Sequence, residues 1–501
     1  MRILLTNVPA YINDDTRHYI GAGSQRWSHS LNIPKGDKAA SEFKYLEYPF
    51  NLGYSSALLK RDTDEEIRAW DPCALDLDEK DFCDYVSSYS PDVLVVEVPT
   101  VSFPPMMEIL RTLKKDVGCK LIVAGQHITG LTKDVMEKYD FIDFALLGEY
   151  ELTIKELVEH LSKNKHDLGE IKGIAYRKGN EVFENTRRPL INPIDQLPFP
   201  DREDIDPTLH EDAVFAGTPC IQMLSSRGCP VGCTFCVPIQ VSFSSLLYRT
   251  RDPKKIVEEM LLVQEKYGAK QIYFDDDTMV INKKHIEDLC NEMIKQDLQL
   301  PWSCMGDITV KDETLKLMEK AGCCGIKFGV DSVTPETLEA IHKGTVTTDK
   351  VTKFVKKCKD LNLKTHASFV IGLPSDTKKG IVDMMDYATR LNLDAGQFSI
   401  ATPFPGTPFF EEAKHKGWLR TEDWNQYDGA RTAVLNYPNL SSQEIEEFHQ
   451  IAVKKWYNYA FRKNLKSPKA TLLQIQRRGV KGSLKGLKMA LSGYSINEKS
   501  A

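Results

Sequence analysis

Residues 221–236 read IQMLSSRGCPVGCTFC, a short apolar run that leads into three closely spaced cysteines. The apolar part, Ile221–Ser225, is typical of a buried strand. Cys229, Cys233 and Cys236 follow it in a C-x3-C-x2-C pattern. In α/β folds the sites lie at the carboxyl ends of parallel strands, so this stretch predicts a strand that ends at a ligand-binding loop.

From Ile221 onward, apolar strand candidates alternate with helical patterns to about residue 400. The strand candidates are Ile221–Ser225, Gln271–Asp275, Trp302–Met305, Gly325–Gly329, Ala367–Ile371 and Gln397–Ile400. The helical patterns are Pro253–Tyr267, Lys284–Gln296, Asp312–Ala321, Asp349–Leu361 and Gly380–Leu391. Six strand–helix units without a closing pair predict a partial (β/α)6 TIM-type barrel.

Upstream of the cysteines the same alternation occurs. The strand candidates are Ile3–Val8, Val93–Val98, Leu121–Ala124 and Phe144–Leu147, and the helical patterns are Pro104–Lys115 and Tyr150–Leu161. Strands that are apolar throughout favour a Rossmann-like, doubly wound parallel sheet covered on both faces. We therefore expect a Rossmann-like domain at 1–190, a proline-rich linker at 191–215, the barrel at 216–415 and a helical C-terminal region at 416–501.

The composition predicts a soluble globular protein rather than a nucleic-acid-binding or membrane-spanning one. Of 501 residues, 42% are hydrophobic and 27% charged, and the net charge is −6. The start, Met1–Pro9, reads as a buried strand and not as an export signal. We therefore expect a cytoplasmic protein without nucleic-acid partners, whose 12 cysteines are core residues, metal ligands or reactive thiols rather than disulfides.

The three cysteines are suited to an iron–sulfur cluster. Three thiolates leave one iron of a 4Fe–4S cubane without a protein ligand. Gly228 and Gly232 allow the backbone to wrap closely around a bound group. A structural zinc site needs four ligands, and no matching Cys or His pair is evident in the sequence.

The cysteine run, with the aromatic Phe235 before its last cysteine, resembles the radical S-adenosylmethionine (SAM) signature. The whole chain resembles radical SAM enzymes with an N-terminal cobalamin-binding domain, a group that includes methyltransferases and the anaerobic porphyrin-ring cyclase. The resemblance implies that Cys229, Cys233 and Cys236 hold the cluster. It also implies that SAM chelates the free iron and is cleaved to a 5′-deoxyadenosyl radical.

Other barrel positions match this family piece by piece. Asp277, with Asp276 as second choice, follows the second strand, where the family places a carboxylate for the SAM amino group; helix capping is the alternative. Asp331 and Ser332 resemble the family's Gly-x-Glu-Ser motif. The remaining matches are Gly372 and Pro374, in a fifth-strand motif whose backbone meets adenine.

One departure concerns the arginine that relatives often carry after the third strand. Residues 302–307 contain none, so the polar contacts to the SAM carboxylate and ribose must come from elsewhere. Arg249 and Arg251 are candidates, although arginines before a helix are more often solvated.

The N-terminal domain offers strand-end loops for cobalamin. Gly125 and His127 follow one strand, Gly148 and Glu149 follow the next, and both loops resemble those of the family. Backbone capping by His127 and helix-start chemistry at Gly148–Glu149 are the alternatives. His18 stands near an acid that is one residue out of place for a cobalt-ligating motif, so we expect cobalt without a histidine ligand.

These features predict a cobalamin-using radical enzyme that methylates an unactivated carbon. Radical ring closure or rearrangement on a lipid or tetrapyrrole is the alternative, and a non-catalytic cobalamin-responsive regulator is a third hypothesis. The expected partners are a small-molecule or lipid substrate and an electron donor such as flavodoxin or ferredoxin. Residues 453–501 carry 12 Lys or Arg and one acid, which favours a basic helix in peripheral contact with a membrane.

Overall fold

The computed structural model describes residues 1–10, 16–19, 31–34, 46–165, 167–210 and 215–465, with backbone alone for 16–19 and 31–34. The side chain of His18 and the basic segment beyond residue 465 therefore lie outside the described residues. Two large sheets, one from each half of the chain, organise the rest.

The N-terminal half is built around a mixed sheet. In chain order the strands are β1 (Arg2–Thr6), β2 (Thr16–Tyr19), β3 (Leu31–Pro34), β4 (Glu66–Trp70), β5 (Val93–Glu97), β6 (Lys120–Ala124), β7 (Phe144–Leu146), β8 (Ile174–Lys178) and β9 (Glu181–Glu184). Seven of them form one sheet in the order β4-β1-β5-β6-β7-β8-β9. The first five are parallel and the β8–β9 hairpin is antiparallel, while β2 and β3 pair separately.

Helices cover both faces of this sheet. They are α1 (Phe50–Asp62), α2 (Glu79–Tyr89), α3 (Phe103–Val117), α4 (Gln126–Gly130), α5 (Thr132–Lys138) and α6 (Glu151–Ser162). Alternate strand residues feed two separate cores: Leu4 and Val96 pack on the side of α2 and α3, and Ile3 and Val95 on the side of α1 and α6. The predicted doubly wound, Rossmann-like arrangement is confirmed, with an antiparallel edge that the sequence did not reveal.

The second half forms the predicted partial barrel. Its strands are β10 (Cys220–Met223), β11 (Ser226–Arg227), β12 (Arg249–Thr250), β13 (Gln271–Phe274), β14 (Trp302–Gly306), β15 (Cys323–Asp331), β16 (Lys364–Ile371) and β17 (Ala395–Ile400). Six are parallel in the order β10-β13-β14-β15-β16-β17, while β11 and β12 form a short antiparallel ribbon. The helices are α7 (Pro253–Tyr267), α8 (Lys283–Lys295), α9 (Asp312–Lys320), α10 (Pro335–Ala340), α11 (Thr348–Asp360) and α12 (Lys378–Arg390).

The segments that the sequence suggested as linker and C-terminal region pack tightly. Arg202 is buried, and its guanidinium bonds Glu259 of α7 at 2.9 Å, while Asp201 pairs with Lys60 of α1 at 2.6 Å. At the other end, α13 (Pro408–His415) and α14 (Ser442–Leu465) continue the helical layer. Gly396 of β17 lies directly under Trp456 of α14, since an added Cβ would sit 2.8 Å from the indole.

Helix α14 is the longest described helix. None of the helices in the described ranges is both long and apolar enough to cross a membrane.

The strand-end loops of the two sheets meet at close-packed glycines. A Cβ added at Gly130, the last residue of α4, would lie 2.5 Å from the Pro405 carbonyl oxygen in the loop after β17. Gly406 has φ +80°, and its Cβ would lie 2.9 Å from the Gly130 Cα. Backbone therefore touches backbone at this point, and neither position has room for a methyl group.

We expect Gly130→Ala to lower the free energy of unfolding by about 1–3 kcal/mol, because backbone, not a flexible side chain, must move to admit the methyl group. Urea unfolding followed by circular dichroism measures the change. Gly169→Ala is the matched control, since Gly169 is exposed and the nearest atom to its added Cβ is 3.5 Å away. Equal stability of the two variants would contradict this account of the contact.

Candidate active site

A cavity of about 330 Å³ lies at the carboxyl ends of the barrel strands. All three clustered cysteines line it, together with Phe235 and Asp277. The rest of the wall is mostly apolar and comes from the ends of β14 to β17 and from the loop at 428–430. The sequence-predicted cysteine triad and the first-choice carboxylate are therefore brought to one space.

The cysteines sit on a loop, residues 228–248, whose two ends are joined by the β11–β12 ribbon. Gly228 has φ +95°, and its Cβ would lie 2.2 Å from the Leu247 carbonyl oxygen, so the two arms of the loop touch there. Gln240 Nε2 donates to the carbonyls of Gly232 and Cys233 at 3.1 and 3.0 Å. The loop is thus tied internally before any group binds to it.

Burial raises the pKa of all three thiols. The pKa of Cys229 rises to about 12 and that of Cys233 to about 11, and the pKa of Cys236 is also raised. Thiols in this environment stay protonated at neutral pH. A metal group that binds here must displace these protons and supply the positive charge that holds the thiolates.

Two neighbouring acids after β13 have different surroundings. Asp277 lines the cavity and accepts a hydrogen bond from the Gly228 N–H at 2.8 Å. Asp276 is fully buried and accepts from the Ser225 N–H at 2.7 Å and the Ser226 hydroxyl at 2.5 Å. The structure therefore places Asp277 at the cavity, whereas Asp276 fixes the end of β10.

Lys343 is a cavity residue that the sequence reasoning missed. Its ammonium group donates to Asp331 Oδ2 at 2.5 Å and to the Gly329 carbonyl at 2.8 Å. Burial alone would lower the pKa of Lys343, but the Asp331 carboxylate outweighs it and the pKa is raised. Among the described residues Lys343 is the one Lys or Arg side chain that lines the cavity.

No sequence motif marked Lys343, because it lies in the turn after the short helix α10 and meets β15 only in the fold. Ser332, the neighbour of Asp331, is buried, and its hydroxyl accepts a hydrogen bond from the Thr334 N–H at 3.2 Å.

The two arginines proposed for the missing family arginine are already engaged. Arg249 bonds Glu149 at 2.7 Å, and Arg251 bonds Glu259 at 2.7 Å. Both side chains are buried away from the cavity. Neither arginine lines the cavity, whereas Lys343 does.

The fifth-strand motif lies just behind the cavity wall. Leu373 lines the cavity, while the neighbouring Gly372 and Pro374 do not belong to its lining. Gly372 has φ +89°, its N–H donates to Asp376 at 2.9 Å, and its carbonyl accepts from the Tyr437 hydroxyl at 2.9 Å. The motif is thus braced from behind, with its backbone held against the C-terminal helices.

A second group of polar side chains lies at the carboxyl edge of the N-terminal sheet. Within the described residues, both polar atoms of the buried Asn7 amide and the Nε2 atom of buried His127 have no hydrogen-bond partner. Burial lowers the pKa of His127 to about 3, so its imidazole is neutral. Its ring lies between Phe103 and Trp424, with centroid distances of 4.1 and 5.2 Å.

Glu97, at the end of β5, belongs to the same edge. It accepts a hydrogen bond from the Asn51 amide at 2.8 Å. Burial raises the pKa of Glu97 to about 8, although hydrogen bonds from Asn51 and Tyr150 act in the opposite direction. Three uncharged polar groups, Asn7, His127 and protonated Glu97, thus follow three neighbouring strands.

Of the three remaining N-terminal candidates, Gly125 packs within its own half, whereas Gly148 and Glu149 contact the barrel half. Gly125 has φ +104°, and a Cβ added there would lie 3.2 Å from the backbone nitrogen of Val98. Gly148 has φ +68°, and its Cβ would lie 2.8 Å from the Ser242 carbonyl oxygen. Glu149 is buried and forms ion pairs with two arginines of the barrel half, so its carboxylate does not lie in an open, solvent-exposed loop.

The chain is similar in sequence to known radical SAM proteins. Residues 223–388 match the model of the radical SAM superfamily. An uncharacterized methyltransferase of Pyrococcus horikoshii is 30% identical over 82% of this chain and 87% of its own length. The anaerobic magnesium-protoporphyrin IX monomethyl ester cyclase of Cereibacter sphaeroides is 26% identical over 71% of this chain and 58% of its own.

A solved structure shares the fold over most of the chain. It is the radical SAM methyltransferase TsrM from Kitasatospora setae with cobalamin and a [4Fe–4S] cluster bound. The TM-score is 0.62 at 18% identity, covering 84% of this chain and 79% of that one.

The raised pKa of Glu97 predicts a pH-dependent stability. Between about pH 4.5 and 8 the folded protein keeps a proton that the unfolded chain has released, so the free energy of unfolding falls as pH rises through this window. The full loss is on the order of 4 kcal/mol. Glu97→Gln removes this loss and is expected to be more stable than the wild type above about pH 8.

Urea unfolding at about pH 5.5 and about pH 8.5 tests this, with Glu159→Gln on the exposed side of α6 as the control. Asp376, whose pKa burial raises to about 7, contributes in the same window to every variant, so the difference from wild type is the measurement. A Glu97→Gln protein that loses as much stability as wild type would contradict the prediction.

Proposed function

Because the chain belongs to the radical SAM superfamily, we propose that it is a cobalamin-dependent methyltransferase that adds a methyl group to an unactivated carbon. The observation that carries the proposal is the placement of the cysteine-lined cavity beside the strand-end loops of a Rossmann-like sheet. The first site suits SAM and its cluster, and the second suits a corrin.

The cysteine loop fits a 4Fe–4S cluster by its donors and its shape. Three thiols line one cavity. Gly228 and Gly232, next to two of these cysteines in the chain, carry no side chains and let the loop fold tightly. Thiolates are the usual ligands of such clusters, and three of them leave one iron of the cubane without a protein ligand.

The cavity is lined by one lysine and by four aspartates, Asp277, Asp307, Asp331 and Asp428, so it offers charges of both signs to the methionine part of SAM. We assign the ammonium group to Asp277, which faces the cavity beside the cysteine loop. The carboxylate is assigned to Lys343, held in place by Asp331 at 2.5 Å. Leu373 and Phe235 provide apolar surface for adenine, with Gly372, Pro374 and Ser332 supporting the wall.

The N-terminal edge fits cobalamin through neutral polar groups. The periphery of a corrin carries amide side chains, which both donate and accept hydrogen bonds. The unpartnered Asn7 amide and His127 Nε2 are complementary to such groups. Gly125 and Gly148 allow the strand-end loops to pack closely against Val98 and Ser242, and Glu149 supports the second of these loops through its arginine pairs.

When bound, the cluster supplies the electron that cleaves SAM, and cobalamin supplies the methyl group. The protein's own contribution is placement and exclusion of solvent. Asp277 and Lys343 orient SAM, while Val370, Ile400 and Phe404 give the substrate end an apolar wall. An apolar wall that excludes water limits side reactions of a carbon radical with solvent and dissolved molecules.

Radical ring closure remains the second candidate, because a cyclase is among the relatives with 26% identity. The two reactions differ in product mass: methylation adds one methylene unit, whereas ring closure adds none. A regulator without turnover is disfavoured, since a regulator needs no cavity lined by three cysteines beside an acid and a lysine.

The decisive experiment is anaerobic reconstitution with iron, sulfide and cobalamin, followed by dithionite and SAM. We expect 5′-deoxyadenosine to form. In cells that lack the protein, we expect the methylated product to be missing and its precursor, lighter by one CH2 unit, to remain. Production of 5′-deoxyadenosine without any bound cobalamin would contradict the methyltransferase proposal and favour ring closure.

Replacing Cys229, Cys233 and Cys236 together by alanine should abolish iron binding and 5′-deoxyadenosine formation while cobalamin still binds. The reason is that the corrin contacts come from a sheet with its own two cores. Iron content, product assay and cobalamin absorbance measure the three effects. A folded triple variant that binds no cobalamin would show that the barrel, and not the N-terminal sheet, holds the corrin.

Asp277→Ala and Lys343→Met should each weaken SAM binding by roughly 1.5–3 kcal/mol, because each removes one charged hydrogen-bond partner. The cluster's visible absorbance should stay normal in Asp277→Ala. Equilibrium binding of SAM to reconstituted protein is the measurement, and Lys350→Met, on the outer helix α11, is the control. Unchanged affinity in Asp277→Ala would move the ammonium contact to another acid.

A further inference from the structure

The base of the cysteine loop is clamped by one carboxylate of the N-terminal half. The ribbon residues Arg227 and Arg249 face each other at the two ends of the 228–248 loop. Arg227 Nη1 lies 3.0 Å from Glu149 Oε1, and Arg249 Nη1 lies 2.7 Å from Glu149 Oε2. Each oxygen of Glu149 therefore holds one end of the loop.

The clamp is buried, and its central carboxylate has contacts on both oxygens. Arg227 Nη2 also pairs with Glu151 Oε1 at 2.8 Å, and the Ile191 N–H donates to Glu149 Oε2 at 2.9 Å. All four charged side chains are at most 5% exposed. Removing these charged groups from water costs free energy, which offsets much of the attraction between them. The main effect of the ion pairs is therefore to select one geometry of the loop rather than to stabilise the fold.

Further contacts carry this geometry along the loop toward the cysteines. Arg187 of the N-terminal half donates to the Val241 carbonyl at 2.7 Å and to the Ser244 hydroxyl at 2.6 Å. Gln240, which directly precedes Val241, donates a hydrogen bond from its Nε2 to the carbonyl of Cys233 at 3.0 Å. The N-terminal sheet thus grips both the base and the outer turn of the loop.

The clamp also sets the charge beside the loop. Two arginines and two glutamates cancel, and Arg227 is two residues from Cys229 in the chain. The reduction potential of an iron–sulfur cluster depends on nearby charge and on hydrogen bonds to its sulfurs. Loss of one glutamate would leave an extra positive charge at this place, which favours the reduced, more negative cluster.

We propose that Glu149 is a positioning residue for the cysteine loop: it fixes the loop through Arg227 and Arg249 and balances their charge. The mechanical part of the inference stands without a bound group. The electrostatic part rests on the proposed function, because it requires a cluster on the loop.

Glu149→Gln tests both parts, with Glu159→Gln as the matched control. Glu159 lies on the same helix, is 40% exposed, and has Lys155 at 3.8 Å as its ion-pair partner, so the control loses the same charge without touching the clamp. Hydrogen–deuterium exchange of the protein before reconstitution should be faster in 228–248 by on the order of ten-fold, with the sheet strands unchanged. After reconstitution, the cluster potential should shift to a more positive value.

Glu149→Asp separates geometry from charge, and it replaces Glu149→Gln if that variant fails to fold. Its charge is kept but its reach is shorter, so exchange in 228–248 should still rise while the potential returns toward that of wild type. If Glu149 were purely structural, its replacement would change the hydrogen–deuterium exchange rate, but the cluster potential would not differ between the Gln and Asp variants according to their charge.

The inference is overturned if Glu149→Gln matches Glu159→Gln in both exchange and potential. It is also overturned if Glu149→Gln loses cobalamin while exchange in 228–248 is unchanged, since Glu149 would then be a ligand-contacting residue. If wild-type protein takes up no iron, the proposed function fails, and the exchange result still decides whether Glu149 clamps the loop.

Discussion

The site depends on parallel strand pairing in both sheets. Parallel neighbours end on the same edge, so all the loops that follow the strands collect there. In this chain the two edges meet: the loop after β6 touches the loop after β17 at Gly130 and Pro405, and the loop after β7 touches Ser242. The cysteine loop, which follows β10, lies between them and is held from both halves.

Burial of four charges at this junction is physically expensive, and apolar side chains would stabilise the interface more cheaply. What ion pairs add is direction. A guanidinium that bonds a carboxylate through fixed N–H vectors allows little rotation, whereas apolar contacts tolerate sliding. The ion pairs therefore contribute less to the free energy of unfolding than apolar contacts would, but they fix the position of the loop. A fixed position matters for a loop that must direct three thiols at one bound group.

The sequence predicted the parts of the molecule whose signals are local. The cysteine triad, the apolar central strands and the long helices such as α7 are all encoded by short-range spacing. The edge strands were missed: β4 reads EIRAW and β9 reads EVFE, because an edge strand needs no apolar face on its open side.

Roles that depend on distant partners were beyond the sequence. Nothing near Lys343 predicts that it faces Asp331, and nothing near Glu149 predicts that two arginines 78 and 100 residues away will converge on it. The same holds for Asp276 and Asp277. They are adjacent in the chain, and only the fold shows that one faces the cavity while the other is used by Ser225 and Ser226.

Charge divides the two candidate binding regions in a way that follows from burial. The barrel cavity is lined by charged groups of both signs: Lys343 and the four aspartates Asp277, Asp307, Asp331 and Asp428. At the N-terminal edge, burial turns Glu97 into a neutral acid with a pKa of about 8 and His127 into a neutral imidazole with a pKa of about 3. With Asn7 this edge is polar and uncharged near pH 7. A buried polar group costs least when its partner is also neutral and complementary. Under the proposed function, this uncharged edge would favour the amide groups of a corrin, whereas the charged cavity would favour the zwitterionic part of SAM.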